Sequence, residues 1–333
     1  MSKTTKRRLQ HLRKIIDTEW DKHYWDFVIK YEKQLNWGWI SRNPNTTLDI
    51  IKNNPNKKWD WELMSSNPNI TIDFVNENSD KNWQWYYLSS NPNITLKDIL
   101  NNPNYPWDWN RVSSNSSITI DDIEKHNNIK WNWSYISHNP KITINYIKKN
   151  INKKWNWYFL SYNPSITMKD IENNINLPWD WHSISYNPNI TIEFINKYPT
   201  TKWNWHIISK NSNITQQDII NNPDKPWDMY WISKNENITL NFIKNINNDK
   251  WDWTHISSSP NITMGDIENN PYYPWVWYFI SKNTFIKEKN EFYLKHYKRY
   301  FATFRLQQYF NRMYDNPRYA FCRKRLYKLF TYD

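Results

Sequence analysis

A 24-residue period runs through most of this chain, with about eleven copies and no insertion or deletion between them. The second tryptophan of each Trp-x-Trp pair marks every copy, and we call it the anchor. A fixed period of roughly 20 to 50 residues is typical of solenoids, in which each unit buries its apolar face only against its neighbours. The anchor positions are Trp37, Trp61, Trp85, Trp109, Trp133, Trp157, Trp181, Trp205, Met229, Trp253 and Trp277.

Each unit contains the pattern of two short helices. The first is predicted to start at the tryptophan pair and to end at Asn-Pro, because Pro cannot continue a helix. The second is predicted to start at the Thr of Ile-Thr, where an Asp three residues later, as in Thr95 and Asp98, resembles a capping box. The strand propensity of Ile-Thr-Ile favours a β-rich solenoid as the alternative. The helical spacing of Trp61, Met64 and Ser65 favours helices.

The predicted fold class is therefore all-α, an α-solenoid of about eleven 24-residue two-helix repeats with helical caps at both ends. The predicted divisions are an N-terminal helical cap over residues 1–34, the repeat array over 35–285 and a basic, aromatic-rich helical cap or tail over 286–333. With helices packed about 8–10 Å apart, the array would extend on the order of 100 Å along its path.

A weaker 48-residue period lies inside the 24-residue one. Three residues after the capping Thr, Asp98, Asp170, Asp218 and Asp266 mostly alternate with Phe74, Tyr146, Phe194 and Phe242, whereas Asp122 breaks the alternation. We expect alternate units to meet different neighbours, as on opposite sides of a twisted stack. The side chains of Phe194 and Asp218 should then differ in solvent exposure.

Composition excludes several classes of function. With only two glycines, Gly38 and Gly265, the chain lacks the loops that cradle phosphates in Rossmann and P-loop sites. One cysteine, Cys322, excludes a disulfide framework and zinc sites built from cysteines. The eight histidines form no metal-binding motif, which leaves only the stacking of neighbouring units, for example His182 on His206, as a route to a metal site. We expect no enzyme activity, no cofactor and no membrane span.

The invariant positions are interpreted as structural. Tryptophan fills the two repeat positions in 20 of its 24 occurrences, and the exceptions Leu35 and Met229 keep apolar volume without a flat aromatic face. This pattern favours a buried core over a platform for stacking bases or sugars. The Ser four residues after each anchor, and the Asn two residues later, are expected to bond within and between units.

Recognition in a solenoid belongs to the variable positions. The residue after the anchor and the one four later share a helix face, and this ridge becomes rich in Tyr, His and Lys from Tyr158 onward. Tyr is a frequent anchor at interfaces, so the ridge is the candidate partner surface, the alternative being an ordinary solvated face. The candidate residues are Tyr158, Tyr162, His182, Tyr186, His206, Lys210, Tyr230, Lys234, Tyr278 and Lys282.

The positive charge lies at the ends of the chain. Residues 1–34 hold nine Lys/Arg against five Asp/Glu, residues 282–333 hold thirteen against four, and the array between them holds 22 against 23. The basic C-terminal region is interpreted either as a cap with a solvated face or as a contact for nucleic acid, an acidic partner or a membrane surface. Its candidate residues are Lys298, Arg299, Arg305, Arg312, Arg323, Lys324 and Arg325.

The repeat itself, as in NPNITLKDILNNPNYPWDW from Asn91 to Trp109, resembles tryptophan-rich repeat proteins of giant nucleocytoplasmic DNA viruses such as the mimivirus relatives. The stretch NPRYAFCRKRLYKLF, from Asn316 to Phe330, looks like a C-terminal segment of proteins from the same viruses. The resemblance implies a viral protein in the host cytoplasm or the virion, not a secreted one, and it implies no activity.

Together these features predict a non-enzymatic scaffold for protein or peptide recognition. The alternative is a nucleic-acid-binding protein that uses its basic C-terminal region.

Overall fold

The computed structural model describes residues 3–246 and 250–315, and every regular element within them is an α-helix. The predicted all-α solenoid is confirmed. A long helix, α1 (Lys3–Lys30), precedes the repeats, and another, α23 (Ile286–Asp315), follows them. Between them, each unit contributes a first helix at its anchor and, in units 1 to 10, a second helix after its Thr.

The first helices of units 1 to 11 are α2 (Trp37–Arg42), α4 (Trp61–Met64), α6 (Trp85–Leu88), α8 (Trp109–Ser114), α10 (Trp133–Ile136), α12 (Trp157–Ser161), α14 (Trp181–Ile184), α16 (Trp205–Ser209), α18 (Met229–Ile232), α20 (Trp253–Ser258) and α22 (Trp277–Ile280). The second helices of units 1 to 10 are α3 (Leu48–Asn53), α5 (Ile72–Glu77), α7 (Leu96–Asn101), α9 (Ile120–Lys125), α11 (Ile144–Lys149), α13 (Met168–Asn173), α15 (Ile192–Lys197), α17 (Gln216–Asn221), α19 (Leu240–Asn245) and α21 (Met264–Asn269).

Side-chain caps explain where the helices begin. The residue between the two tryptophans is the N-cap of the first helix, as when the Asp60 carboxylate accepts the Leu63 N–H at 2.9 Å. Thr is the N-cap of each second helix. The predicted capping boxes are confirmed, because the Thr95 N–H donates to the Asp98 carboxylate at 2.8 Å. The same box forms at Asp122, Asp170, Asp218 and Asp266.

The recurring Ser joins each unit to the next, as its recurrence predicts, and so does the recurring Asn except in unit 10, where Ser259 replaces it. The Ser41 hydroxyl donates to the Trp37 carbonyl at 2.8 Å and accepts the Asp60 N–H of the following unit at 2.9 Å. The buried Asn67 amide donates to the carbonyls of Ser41 and Asn43 in the preceding unit. These bonds satisfy backbone groups that the short helices leave without intrahelical partners.

The same bonds join the last unit to the first. The Asn36 N–H donates to the Ser281 hydroxyl at 2.8 Å, and the Asn43 amide donates to the carbonyls of Ser281 and Asn283 at 3.2 and 2.9 Å. All eleven helix-end serines thus accept a backbone N–H from the next unit around the array. The solenoid therefore closes into a ring, and we call the junction between units 11 and 1 the seam.

Residues 23–35, which we call the clasp, supply the second-helix layer that unit 11 lacks. On one side, Trp25 meets Trp37 of unit 1 edge to face at 6.2 Å and stacks on Trp59 of unit 2 at 5.9 Å, both measured between ring centroids. On the other, Tyr31 packs on Trp277 of unit 11 at 4.6 Å, and Lys30 pairs with Glu268 of unit 10 at 2.6 Å. The clasp therefore bridges the seam on the side opposite the first helices.

The repeat pattern ends at Phe285. Its N–H still donates to the Asn283 side chain, as Asn69 does to Asn67 in unit 2. Its φ of 47° then turns the backbone out of register, and its ring is buried 5.5 Å from that of Phe27 in the clasp. A positive φ is unfavourable for a bulky residue, so burial of the ring stabilises this turn.

The 48-residue alternation has a local cause. Phe194 is 4% exposed and stacks on Trp181, whereas Asp218 in the next unit is half-buried and closes a capping box with Thr215. Their exposures differ, as expected. Both units make the same Ser and Asn bonds to their neighbours, so the alternation changes the outer surface of a unit rather than its place in the stack.

The tryptophans are less uniformly buried than is expected if all of them belong to the core. The first tryptophan of the pair is buried or half-buried, and its indole N–H donates to a carbonyl five residues earlier, as Trp59 does to Asn54. The anchor tryptophan is half-buried in most units, and Trp109 is 39% exposed.

The chain divides into two compact units, one formed by residues 23–285 and the other by residues 1–22 with 286–333. The predicted N-terminal cap is thus split, because residues 23–34 pack with the array. In the second unit, Trp20 meets Phe292 edge to face at 5.5 Å, and His296 lies 2.8 Å from Glu19.

Candidate binding surfaces

We infer that the first helices form the inner side of the ring. At five junctions the first helices of successive units contact each other, as α2 contacts α4, more extensively than any two second helices do within the described residues. In a closed ring every unit turns through the same angle, so the layer nearer the axis is the more crowded one. The residues one, two and five positions after each anchor lie on the faces of these helices that point toward the axis of the ring. We call them the inner belt.

All ten residues of the predicted ridge lie on the inner belt. Those directly after the anchor are exposed, with Tyr158 at 47% and Tyr278 at 45%, and those four residues later are exposed or half-buried. The recurring Ser and Asn bonds between units use other positions, and among the ridge residues His206 also contacts Asp228 of the next unit. The exposed members directly after the anchor are Tyr158, His182, His206, Tyr230 and Tyr278, and the later members are Tyr162, Tyr186, Lys210, Lys234 and Lys282.

Units 5 to 7 form an aromatic sector of the belt. The Tyr162 ring lies 5.5 Å from that of His138 in the preceding unit and 6.4 Å from that of Tyr186 in the following one. Tyr158 meets Tyr162 edge to face at 5.5 Å, with Tyr158 exposed and Tyr162 half-buried. Amphipathic rings of this kind suit contact with a partner that offers both apolar and polar groups.

Two cation clusters lie elsewhere on the belt. In the internal cluster, the Lys234 and Lys210 ammonium groups lie 3.9 and 5.0 Å from the centroid of Trp231. In the seam cluster, the Lys282 ammonium and the Arg42 guanidinium lie 3.8 and 5.5 Å from the centroid of Trp39. The two clusters occupy equivalent positions three units apart around the closed ring.

The sequence interpretation missed Trp39, Trp231 and Arg42. Trp39 and Trp231 lie outside the Trp-x-Trp positions, and both fall two residues after an anchor, a register that could have identified them. Arg42 belongs to unit 1, and only closure of the ring brings it beside residues of unit 11.

Burial and repulsion act on the internal cluster. Burial, together with the nearby Lys234 ammonium, lowers the pKa of Lys210. Burial also lowers the pKa of His255, whose ring lies 5.3 Å from that of Tyr230 and 2.6 Å from Asp252. The Nδ1 of His206 lies 2.7 Å from the Asp228 carboxylate of the next unit.

The outer side of the ring carries a series of equivalent small clefts. Two of them, of about 390 Å³ each, lie between second helices of consecutive units, and each is lined by a tryptophan pair and a lysine. A third, of about 330 Å³, lies between α21 and Tyr31 of the clasp. The clasp thus occupies the place of a second helix here too. Lysine covers one indole face in each of the first two clefts, at 5.0 Å for Lys153 on Trp133 and 5.6 Å for Lys81 on Trp61.

The predicted basic patch is only partly described. Lys298 and Arg299 lie on α23. The side chains of Arg305 and Arg312 lie outside the described part of the chain, as do residues Arg323, Lys324 and Arg325 altogether. The patch therefore remains a prediction.

No group of three or more His, Cys, Asp or Glu side chains is arranged to hold a metal ion in residues 3–246 and 250–315. Among the helices in those ranges, none has the length and apolar character needed to cross a bilayer. The chain matches no protein-family model, no curated protein and no solved structure.

Proposed function

We propose that this protein is a non-enzymatic ring scaffold that binds a polypeptide segment on its inner belt. The observation that supports this most is the closure of the array, because it turns exposed Tyr, His and cationic side chains of successive units toward one shared space. The invariant side chains are engaged in packing and junction bonds, which leaves the belt for recognition.

The dimensions are compatible with such a partner. Eleven helices spaced about 8–10 Å apart give a ring roughly 28–35 Å across between helix axes. Allowing about 5–6 Å for each helix wall leaves an opening of roughly 20 Å. That space accommodates an extended chain or one helix of about 10–12 Å diameter. On the sequence resemblance, the scaffold would serve a giant virus within its host cell or virion.

A random peptide library displayed on phage tests this proposal. We expect the intact chain to select peptides whose binding is lost in a variant carrying Tyr162→Ala and Tyr186→Ala. Binding should survive in the control Ile220→Ala, which removes an exposed apolar side chain from the second helix of unit 8. Selected peptides that bind all three proteins equally would contradict a role for the belt.

The second candidate is nucleic-acid binding by the basic C-terminal region, supported by the excess of thirteen Lys/Arg over four Asp/Glu in residues 282–333. Binding of an oligonucleotide should then weaken steeply as salt rises, because counterions are released from the phosphates. It should also weaken when Lys298 and Arg299 are replaced by Gln. A complete lack of binding at low salt would exclude this candidate.

A further inference from the structure

Each cation cluster holds two positive groups on one indole, and the part of the chain that the structure describes supplies neither cluster with a counter-ion. Among the described residues, no carboxylate forms an ion pair with Lys210, Lys234, Lys282 or Arg42. Two acidic residues beside the internal cluster contact histidines, Asp228 at His206 and Asp252 at His255. The electron-rich indole face attracts both cations and keeps them together despite their repulsion.

This arrangement is suited to an anion. Two like charges held close together repel each other. An anionic group placed between them would attract both, so the net electrostatic energy would become favourable. The lowered pKa of Lys210 is consistent with such unrelieved repulsion and partial burial. The indole also limits the conformations of the cationic side chains, so less entropy is lost when they bind.

The surroundings favour carboxylate side chains over a phosphate backbone. A nucleic acid presents closely spaced negative charges and selects a continuous basic track. Here the two clusters are separated by unit 10, whose belt residues are Thr254, His255 and Ser258, and the array as a whole holds 22 basic against 23 acidic residues. The exposed tyrosines nearby suit contacts with protein side chains.

We propose that the internal and seam clusters bind two carboxylate side chains of one acidic polypeptide segment. This inference rests on the proposed function and names the chemistry of the segment that the belt receives. The clusters lie three units apart, so at the helix spacing used above the straight-line distance between them is roughly 20 Å. An extended chain advances about 3.3 Å per residue, so the two acidic positions should be separated by about six residues.

The test is fluorescence anisotropy with a labelled peptide that carries two Glu-Glu pairs separated by a Gly/Ser/Gln spacer of about six residues. A peptide with Gln in place of Glu is its neutral control. Lys234→Gln removes a cation from the internal cluster, and Lys282→Gln removes one from the seam cluster. The matched controls are Lys97→Gln and Lys169→Gln, which make the same charge change at exposed positions on second helices.

We expect the acidic peptide to bind the intact chain, and each cluster variant to bind it about tenfold more weakly, as for the loss of one charged hydrogen bond. The neutral peptide should bind weakly, and the control variants should match the intact chain. A peptide whose spacer is shortened to two residues should reach only one cluster, so its binding should no longer depend on the lysine of the other cluster.

Three results would overturn the inference. They are equal binding of the acidic and neutral peptides, equal losses in cluster and control variants, or a single-stranded oligonucleotide that displaces the peptide and itself requires Lys234 and Lys282. Failure here is distinguishable from failure of the scaffold proposal. Library peptides that depend on Tyr162 and Tyr186 would still support a binding belt without an acidic partner.

Discussion

The seam and the ten internal junctions share the Ser bond, and all but the junction of units 9 and 10 also share the Asn bonds, but the seam differs in its outer elements. On the inner side, Asn43 reaches Ser281 and Asn283 as Asn67 reaches Ser41 and Asn43. On the outer side, an internal junction packs one repeat helix on the next, whereas the seam packs the clasp between units 1 and 11. The bonds of the repeat therefore close the inner layer of the ring, and the clasp, which lies outside the repeat, completes the outer layer.

The comparison indicates that the clasp holds the ring shut. Each internal junction is also held by chain connectivity, since consecutive units are joined by a short loop. The seam has no such link between unit 11 and unit 1, so closure depends on its bonds, on the clasp and on contacts between α1 and α23 such as that of Trp20 with Phe292. Changes at the seam should therefore alter the dimensions of the array, and matched changes elsewhere should alter only its stability.

The largest effect is expected from the buried aromatic side chains. Phe27→Ala in the clasp and Phe194→Ala in unit 7 each remove a ring that is about equally buried, at 5% and 4% exposure. Each should lower the free energy of unfolding by about 3–5 kcal/mol. Only Phe27→Ala should also increase the Stokes radius of the folded protein, measured by size-exclusion chromatography. An equal radius for both variants would mean that the clasp is not what closes the seam.

A smaller effect is expected from the junction amides. Asn139→Ala removes bonds to Asn115 and Ile118 inside the array, and Asn43→Ala removes the bonds to Ser281 and Asn283 across the seam. Each leaves buried carbonyls without partners, at a cost of about 1–3 kcal/mol in urea unfolding. Amide hydrogen exchange should rise locally around Asn139 but on both sides of the seam for Asn43. The same pattern of amide exchange in both variants would contradict this distinction between the seam and an internal junction.

The smallest effect is expected from the exposed ion pairs. Lys30 pairs with Glu268 at the seam, and Lys197 pairs with Glu172 inside the array, both at the solvent-exposed surface. The partner carboxylate raises the pKa of each lysine, so any stabilisation is present at neutral pH and is lost as the pH rises through the raised pKa. Because solvent screens such pairs, Lys30→Met and Lys197→Met should leave the thermal midpoint unchanged. A drop confined to Lys30→Met would show that the seam depends on this pair.

The sequence predicts the parts that are set by local chemistry. Thr and Asp at fixed spacing predict the capping boxes, Asn-Pro predicts the end of the first helix, and the recurrence of Ser predicts the junction bonds. Closure was not predicted, because it depends on a small rotation per unit that no single residue encodes. The sequence assigns the clasp to a cap for the same reason, since Phe27 and Tyr31 lie outside the repeat and meet Phe285 and Trp277 only when the ends come together.

The candidate site was predicted in part. Helix spacing placed Tyr158, Tyr186 and Lys234 on one face, and the structure places them on the inner belt. The sequence does not pair lysines with Trp231 or Trp39, because those tryptophans lie outside the Trp-x-Trp positions that define the repeat. The seam cluster was beyond sequence reasoning, since Lys282 and Arg42 are neighbours only in a closed ring.

The closure of the ring is tested most directly by dipolar electron paramagnetic resonance between two spin labels. In a background with Cys322→Ser, one protein carries labels at Arg42→Cys and Lys282→Cys, across the seam. Its control carries them at Lys210→Cys and Lys234→Cys, across the equivalent internal junction. We predict the same short distance for both pairs. A seam distance approaching the roughly 80–100 Å of an open eleven-unit stack would contradict the ring and the belt within it.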